Sequence, residues 1–384
     1  MYNICLLGMS SWFEWEKGVV NRNRYIFQAL KKHPEVDRIL LVDYLPFSFR
    51  RKIREYFKAK IYKRDRNTVL KGWTYKVNKA DDKVWVYSGW GKNIEKVVGE
   101  ILPPENRLYL SYNPMDISFL DLPDGIKIFD AVDNWAEHPA YINYKNRLLV
   151  NYKEIEKKAD VVFTVSDELK NLFKENTNVF WVPNGVDVAN YQRNDIQVGD
   201  YELSGMKKPV IGYVGVIQER LDLKLVRFLA GKFPNYSFVF IGPVWKGIEQ
   251  EFNTVLNSHK NVYSLGFKPA EITPKYIKDF DAAIVPHKIN ELTASMNPMK
   301  IYEYLACGKP VVTTSVAGVE AFGDLIYVAD RFDDFADKLE KAVALGDSRK
   351  EEYLKFVQEH TWEKRAEEML KQIKKLKCKS QNLN

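Results

Sequence analysis

The chain has 384 residues, 46% of them apolar and 28% charged, too many for one compact core and too apolar for a disordered chain, so two globular domains are expected. The net charge of +7 is unevenly spread: twelve Lys/Arg stand against only Glu55 and Asp65 between Arg50 and Lys79, five lysines and no acid follow from Lys371 onward, and the remainder is net acidic. Cys5, Cys307 and Cys378 are too few and too irregular for a disulfide framework or a paired zinc motif, which points to a reducing cytosol. The apolar start, Tyr2 to Gly8, lacks a basic leader and a cleavage site, and no run approaches the roughly 18 apolar residues of a membrane span. A soluble chain is expected, free to rest on a membrane surface.

Short β-branched runs alternate with helix-period segments along nearly the whole length, the pattern of βαβ units and parallel sheets covered on both faces. A first series of strands is expected at 3–8, 38–43, 84–88, 108–112, 126–129, 161–165 and 179–182. A second follows at 210–215, 237–241, 262–265, 282–285, 311–314 and 325–328. The polar stretch between them, ending in Lys207-Lys208-Pro209, has no periodicity. The expected organisation is an α/β chain of two doubly wound, Rossmann-like domains: a first domain over 1–190, a linker over 191–208, a second domain over 209–360, and a trailing C-terminal helix and basic tail over 361–384. Ligands of open parallel sheets sit beyond the C-terminal strand ends, which makes a cleft between two such domains the expected site.

The first strand leads into Met9-Ser-Ser-Trp-Phe-Glu-Trp-Glu-Lys-Gly-Val-Val-Asn-Arg-Asn-Arg24, which is not G-x-G-x-x-G, and the sequence holds no P-loop. Trp15, Arg22 and Arg24 suit a ligand site, by aromatic stacking and by pairing with a phosphate or carboxylate; packing and capping are equally open to them. Within the basic stretch, Ile53, Tyr56, Phe57 and Ile61 form one apolar helical stripe among arginines and lysines. Arg50, Arg51, Arg54, Phe57 and Lys58 are therefore expected at an anionic membrane surface. Packing on its own domain and nucleic-acid binding are the alternatives; no nucleic-acid module accompanies the stretch, and none is expected as partner.

The most informative segment runs from Pro286 to Val312. A strand ends at Val285, a polar loop follows, and a short helix begins at Asn297-Pro298, with Asn297 as N-cap and Pro298 at the first helical position; Gly308 and Pro310 end it. Unpaired amides at a helix start attract a diphosphate, Lys300 adds a charge in the first turn, and Glu303, three residues on, shares that face and can accept both hydroxyls of a ribose. An ordinary αβ unit with surface Lys and Glu is the bland alternative.

Asn297-Pro-Met-Lys-Ile-Tyr-Glu-Tyr-Leu-Ala-Cys-Gly-Lys-Pro-Val-Val312 resembles the donor-binding segment of nucleotide-sugar glycosyltransferases with the two-domain GT-B fold, in particular family 4 enzymes and bacterial relatives that make teichuronic acid. Ala159–Leu169, the Pro183-Asn-Gly-Val-Asp187 turn, Ile211-Gly-Tyr-Val-Gly215, Leu265-Gly-Phe-Lys-Pro269 and Thr361-Trp362 resemble further parts in the same order. The resemblance implies that the 1–190 domain takes the acceptor, with Trp15, Arg22 and Arg24 as acceptor-binding candidates. It also implies that the 209–360 domain takes the donor, through Gly215, Lys268, Asn297, Met299, Lys300 and Glu303, and that the helix and tail over 361–384 return to the first domain. Two features depart from it. Ser295 stands where the first of two glutamates eight apart is usual, with Glu291 too early to replace it, and Arg220 is the one cation in the loop after Gly215, hence the candidate second phosphate contact. The Met299-Lys300 to Glu303 arrangement is also similar to that of the glucuronosyltransferase of xanthan synthesis.

Ile126-Lys-Ile-Phe-Asp-Ala-Val-Asp-Asn-Trp-Ala-Glu-His-Pro139 puts Asp130 and Asp133 just past a strand. Asp133 resembles the cleft aspartate of relatives with a Tyr/Phe-Asp-x-x-Asp-x-Trp segment and is the expected base for an inverting transfer, with Glu137 and His138 in reserve; capping and backbone bonding are the alternative roles. Asp279-Phe-Asp281 matches a metal-binding D-x-D pattern but precedes a buried strand, and the five histidines are scattered, so no metal and no cofactor are expected. The expected activity is metal-independent transfer of a sugar, glucuronic acid first among candidates, from a UDP-sugar to a lipid-linked or polysaccharide acceptor of a bacterial surface glycan, in the cytoplasm on the inner face of the membrane. A GT-B nucleotide-sugar epimerase and a non-catalytic membrane- or nucleic-acid-binding protein are the alternatives.

Overall fold

A computed structural model describes residues 1–43, 67–89, 94–199 and 201–381. The chain parts into two compact units, Met1–Val182 with Arg365–Asn384, and Pro183–Lys364.

In the first unit, the described strands are β1 (Tyr2–Leu7), β2 (Val36–Val42), β3 (Thr68–Lys71), β4 (Tyr75–Lys79), β5 (Val84–Gly89), β6 (Arg107–Ser111), β7 (Ile126–Ala131), β8 (Val161–Thr164) and β9 (Val179–Trp181), in the order β3-β4-β5-β2-β1-β6-β7-β8-β9. From β5 to β9 neighbours run parallel; Cys5 of β1 lies between Leu40 and Tyr109. Every residue of β1 is buried, as expected of a strand covered on both faces.

The second unit orders β10 (Val210–Val214), β11 (Ser237–Ile241), β12 (Val262–Ser264), β13 (Ala282–Val285), β14 (Val311–Thr313) and β15 (Tyr327–Val328) as β12-β11-β10-β13-β14-β15, all parallel. Helix Leu223–Lys232, capped by Asp222 Oδ1 accepting from the amides of Lys224 and Leu225, packs Leu225, Val226 and Leu229 on one face of this sheet. Helix Met299–Ala306 packs Ile301 and Leu305 on the other.

The expected α/β class with two doubly wound sheets is what the chain adopts. Helix Trp362–Gln381 starts in the second unit and ends in the first, where Lys374 Nζ lies 3.6 Å from Glu35 and Lys377 Nζ 2.7 Å from Asn106 Oδ1. The division falls earlier than expected: residues 191–208 belong to the second unit, because Tyr191 and Leu203 are buried in its core and Tyr201 packs on Tyr276 at 5.2 Å. A polar composition hid those three anchors.

The antiparallel hairpin β3–β4 was not expected from the lysine-rich sequence. The proposed membrane contacts Arg50, Arg51, Arg54, Phe57 and Lys58 lie outside the described residues. Among the described residues, no helix is long and apolar enough to cross a membrane.

Candidate functional site

In the second sheet the strand order reverses at β10, so the loops leaving β10 and β13 flank the switch point where open parallel sheets take ligands. The two loops are stitched together. The amide of Asp222 donates to Pro286 O at 2.8 Å, that of Lys288 to Arg220 O at 2.7 Å, and Leu221 bridges His287. Gly215, the residue after β10, has φ +141°, and Gly242, after β11, has φ +145°; a Cβ on Gly242 would lie 2.1 Å from Gly215 O. Two turns therefore nest at a spacing that only hydrogen side chains permit.

Helix Met299–Ala306 points its start at this edge. Tyr304 OH accepts from the amide of Val214 at 2.8 Å and so pins the helix to the end of β10. The expected cap is corrected: Pro298, not Asn297, occupies the N-cap and offers no side-chain bond. Asn297 is buried and ties loops instead. Its Oδ1 accepts from the amide of Asn184 at 2.8 Å, its Nδ2 donates to Gly318 O at 3.3 Å, and Asn184 Nδ2 donates to Asn297 O at 2.6 Å. The amides of the first turn are thus left without a side-chain cap.

Lys300 lies beside Gly215, with Nζ 5.0 Å from the centre of the Tyr213 ring. Burial first and Arg220 second push its ammonium well below the usual lysine range, while Glu303 opposes them. Glu303 is raised by burial and held by the Tyr191 hydroxyl as well as by Lys300. Arg220 is half-buried; with the Gln218 amide turned so that its oxygen faces the guanidinium, Nε donates to it at 2.7 Å. Two cations thus crowd one strand edge, and the carboxylate that interacts with Lys300, Glu303, is partly engaged by a tyrosine.

Of the other expected donor residues, Met299 begins the helix, half-buried. Lys268 is not brought to the Lys300–Arg220 pair: its Nζ pairs with Glu202, and its ammonium lies 5.5 Å from the Tyr276 ring. Glu291 is exposed and Ser295 is buried with Oγ donating to Leu292 O at 3.0 Å, so no carboxylate stands where the first glutamate is usual. Asp279 and Asp281 lie at the opposite, N-terminal edge of the sheet. Asp279 pairs with Lys275 at 2.9 Å, and Asp281 accepts from the amide of Val210 at 2.6 Å.

The first unit redistributes the expected acceptor residues. Trp15 is buried, donating to Ser10 Oγ at 2.6 Å and packing on Phe27 at 5.2 Å. Arg22 is buried against Asp130 of β7, Nε to Oδ2 2.8 Å, and Arg24 donates to Val19 O at 3.0 Å. Trp15 and Arg22 therefore pack and pair inside the unit, because the helix they flank lies over the sheet. Asp133 is half-buried two residues past β7, where its main-chain oxygen accepts from the Tyr152 hydroxyl at 3.4 Å. Glu137 pairs with Lys145 at 2.8 Å, and His138 Nδ1 accepts from the amide of Ala140 at 3.1 Å.

Sequence reasoning missed Tyr304 and His287. The first was legible as the residue four beyond Lys300, on the same helix face. The imidazole of His287 is fully buried against Tyr213, its ring nitrogens without a hydrogen-bond partner among the described residues, and burial with Lys300 and Arg220 holds it neutral. Its neighbours come from distant sequence, and no local pattern marks it.

A family model described as glycosyl transferase-like matches residues 220–371. TuaH of Bacillus subtilis (strain 168), named for teichuronic acid biosynthesis as a glycosyltransferase, is 29% identical over 203 residues, 49% of this chain and 50% of TuaH. The chain thus spans about half the length of that relative. HepE of Anabaena, solved in complex with UDP and glucose, is 15% identical, with TM-score 0.65 over 97% of this chain and all of HepE's. Trehalose 6-phosphate synthase from Burkholderia multivorans is 12% identical, with TM-score 0.70 over 99% of each chain. The fold is GT-B, and the resemblance to GT-B glycosyltransferases and to a teichuronic acid enzyme is borne out.

Proposed function

We propose that the protein is a glycosyltransferase that takes a sugar from a UDP-sugar held by the Pro183–Lys364 unit and passes it to an acceptor in surface-glycan assembly. The observation that carries the reading is the pair Lys300 and Arg220 at the switch point of the second sheet, where burial and then Arg220 disfavour the charge of Lys300. A diphosphate relieves that repulsion, meets the uncapped amides of helix Met299–Ala306, and is stabilised as a leaving group by the same charges without a metal. Charged hydrogen bonds of this kind contribute about 1.5–3 kcal/mol each. The names of HepE's ligand, UDP, and of TuaH's pathway support the choice of donor and of product class.

Glu303 takes the ribose hydroxyls, and Asp133, past the end of β7, serves as base in an inverting transfer. A hexuronic acid is the first choice of sugar, because Ser295 replaces a carboxylate that would repel a carboxylated donor. The acceptor is lipid-linked or polysaccharide, and the enzyme works on the inner face of the cell membrane. A thermal-shift panel of UDP, GDP, UDP-glucuronate, UDP-glucose and UDP-N-acetylglucosamine in chelator tests the reading. Stabilisation by UDP and most by UDP-glucuronate is expected; indifference to every uridine nucleotide would overturn it.

A further inference from the structure

The hairpin β3–β4 forms one edge of the first sheet, with β4 antiparallel to β5. Its inner face belongs to the core: Tyr75 and Val77 are buried, and the Tyr75 ring stacks on Tyr87 at 5.8 Å. The turn is held from below, since the Gly72 amide donates to Tyr75 O at 2.9 Å and a Cβ on Gly72 would come within 2.3 Å of the Tyr75 ring. A braced turn leaves the tip little room to fold back.

On that tip Trp73 is 95% exposed, and Val69, on the same outward face of β3, is 46% exposed. Lys71, also outward, lies directly opposite Lys76 across the hairpin. An indole in solvent at the tip of a hairpin that carries lysines on its outward face suits a layered partner, anionic outside and apolar within. Tryptophan settles at the headgroup level of bilayers for that reason. A second copy of the chain is disfavoured as occupant, because pairing edge to edge would bring further lysines together.

The chain that leads into β3 has the same chemistry: residues 44–66 carry nine Lys/Arg against Glu55 and Asp65, with Phe47, Phe49 and Phe57 among their aromatics.

We propose that the β3–β4 hairpin is a membrane-docking element, in which Trp73 enters the headgroup layer of an anionic bilayer while Lys71 and Lys76 meet its phosphates. This deepens the membrane part of the proposed function and is independent of the donor reading. Co-sedimentation of the full chain with vesicles of phosphatidylcholine, alone or mixed with phosphatidylglycerol, tests it, with UDP-induced thermal shift as the control. The wild type is expected to bind the anionic vesicles, and less so in salt. Trp73→Ala should weaken binding about tenfold and leave the UDP shift and melting temperature unchanged. Lys71→Glu with Lys76→Glu should weaken it further, at roughly fivefold or more per charge.

Equal binding by Trp73→Ala and wild type would overturn the hairpin's role while leaving the membrane reading in place. Indifference of the wild type to anionic vesicles would overturn both, as would hairpin-dependent binding of RNA that vesicles fail to compete away. Trp73-dependent vesicle binding in a protein that ignores UDP would uphold the inference and sink the donor reading alone.

Discussion

Lys300 occupies the space that Gly215 leaves open: a Cβ built on Gly215 would lie 3.1 Å from both Cε and Nζ of the lysine. The glycine is needed twice, since its φ of +141° is also one that other residues rarely adopt. Gly215→Ala should weaken UDP binding about tenfold in calorimetry. Strain in the turn should cost about 1–2 kcal/mol. That corresponds to a melting temperature lower by only a few degrees in a unit of this size.

The pH dependence of donor binding follows from the same lysine. Its ammonium is held below the ordinary lysine range in the free protein by burial and Arg220, and a bound diphosphate returns it toward that range. Binding therefore takes up a proton. UDP affinity should fall as pH rises from the lowered value of Lys300 toward about 10.4, a window above the terminal phosphate's own ionisation near about 6. Calorimetry in buffers of different ionisation enthalpy should report the uptake; an affinity flat across that window would contradict it.

Arg22 and Asp130 form an ion pair with both side chains almost wholly out of water. Asp130→Asn removes the carboxylate and leaves the guanidinium buried. A loss of about 3–5 kcal/mol is expected in urea unfolding. A surface role for Arg22 would instead predict little change in stability.

Asp133→Asn tests a different residue only three positions on. It is half-buried, and the amide keeps the carboxylate's shape, so the substitution should leave folding and UDP affinity intact. Sugar transfer should fall by about 10²-fold or more if the carboxylate is the base. Near-normal turnover would remove Asp133 from the chemistry.

The sheets were legible in the sequence because parallel strands buried on both faces read as unbroken apolar runs; Tyr2–Leu7 and Ala282–Val285 are examples. Hairpin β3–β4 was not, since its outward positions are Val69, Lys71 and Trp73 amid a basic run that suggested a helix. Lys300, Arg220 and Glu303 were legible as types at a spacing, and the structure sets them at one strand edge. The roles of Trp15, Arg22 and Asn297 were not, because a side chain that packs or ties loops uses the same atoms as one that binds ligand. Which use wins is decided by the neighbours the fold supplies: Ser10 and Phe27 for Trp15, Asp130 for Arg22, and Asn184 and Gly318 for Asn297.

The central claim is that Lys300 and Arg220 hold a nucleotide diphosphate without help from a metal. Isothermal titration of UDP into the wild-type chain and into Lys300→Ala, both in EDTA, tests it most directly. Saturable binding by the wild type is expected, weakened roughly 10- to 100-fold in the variant by the loss of one charged contact. No binding by the wild type, or the same affinity in both, would contradict it.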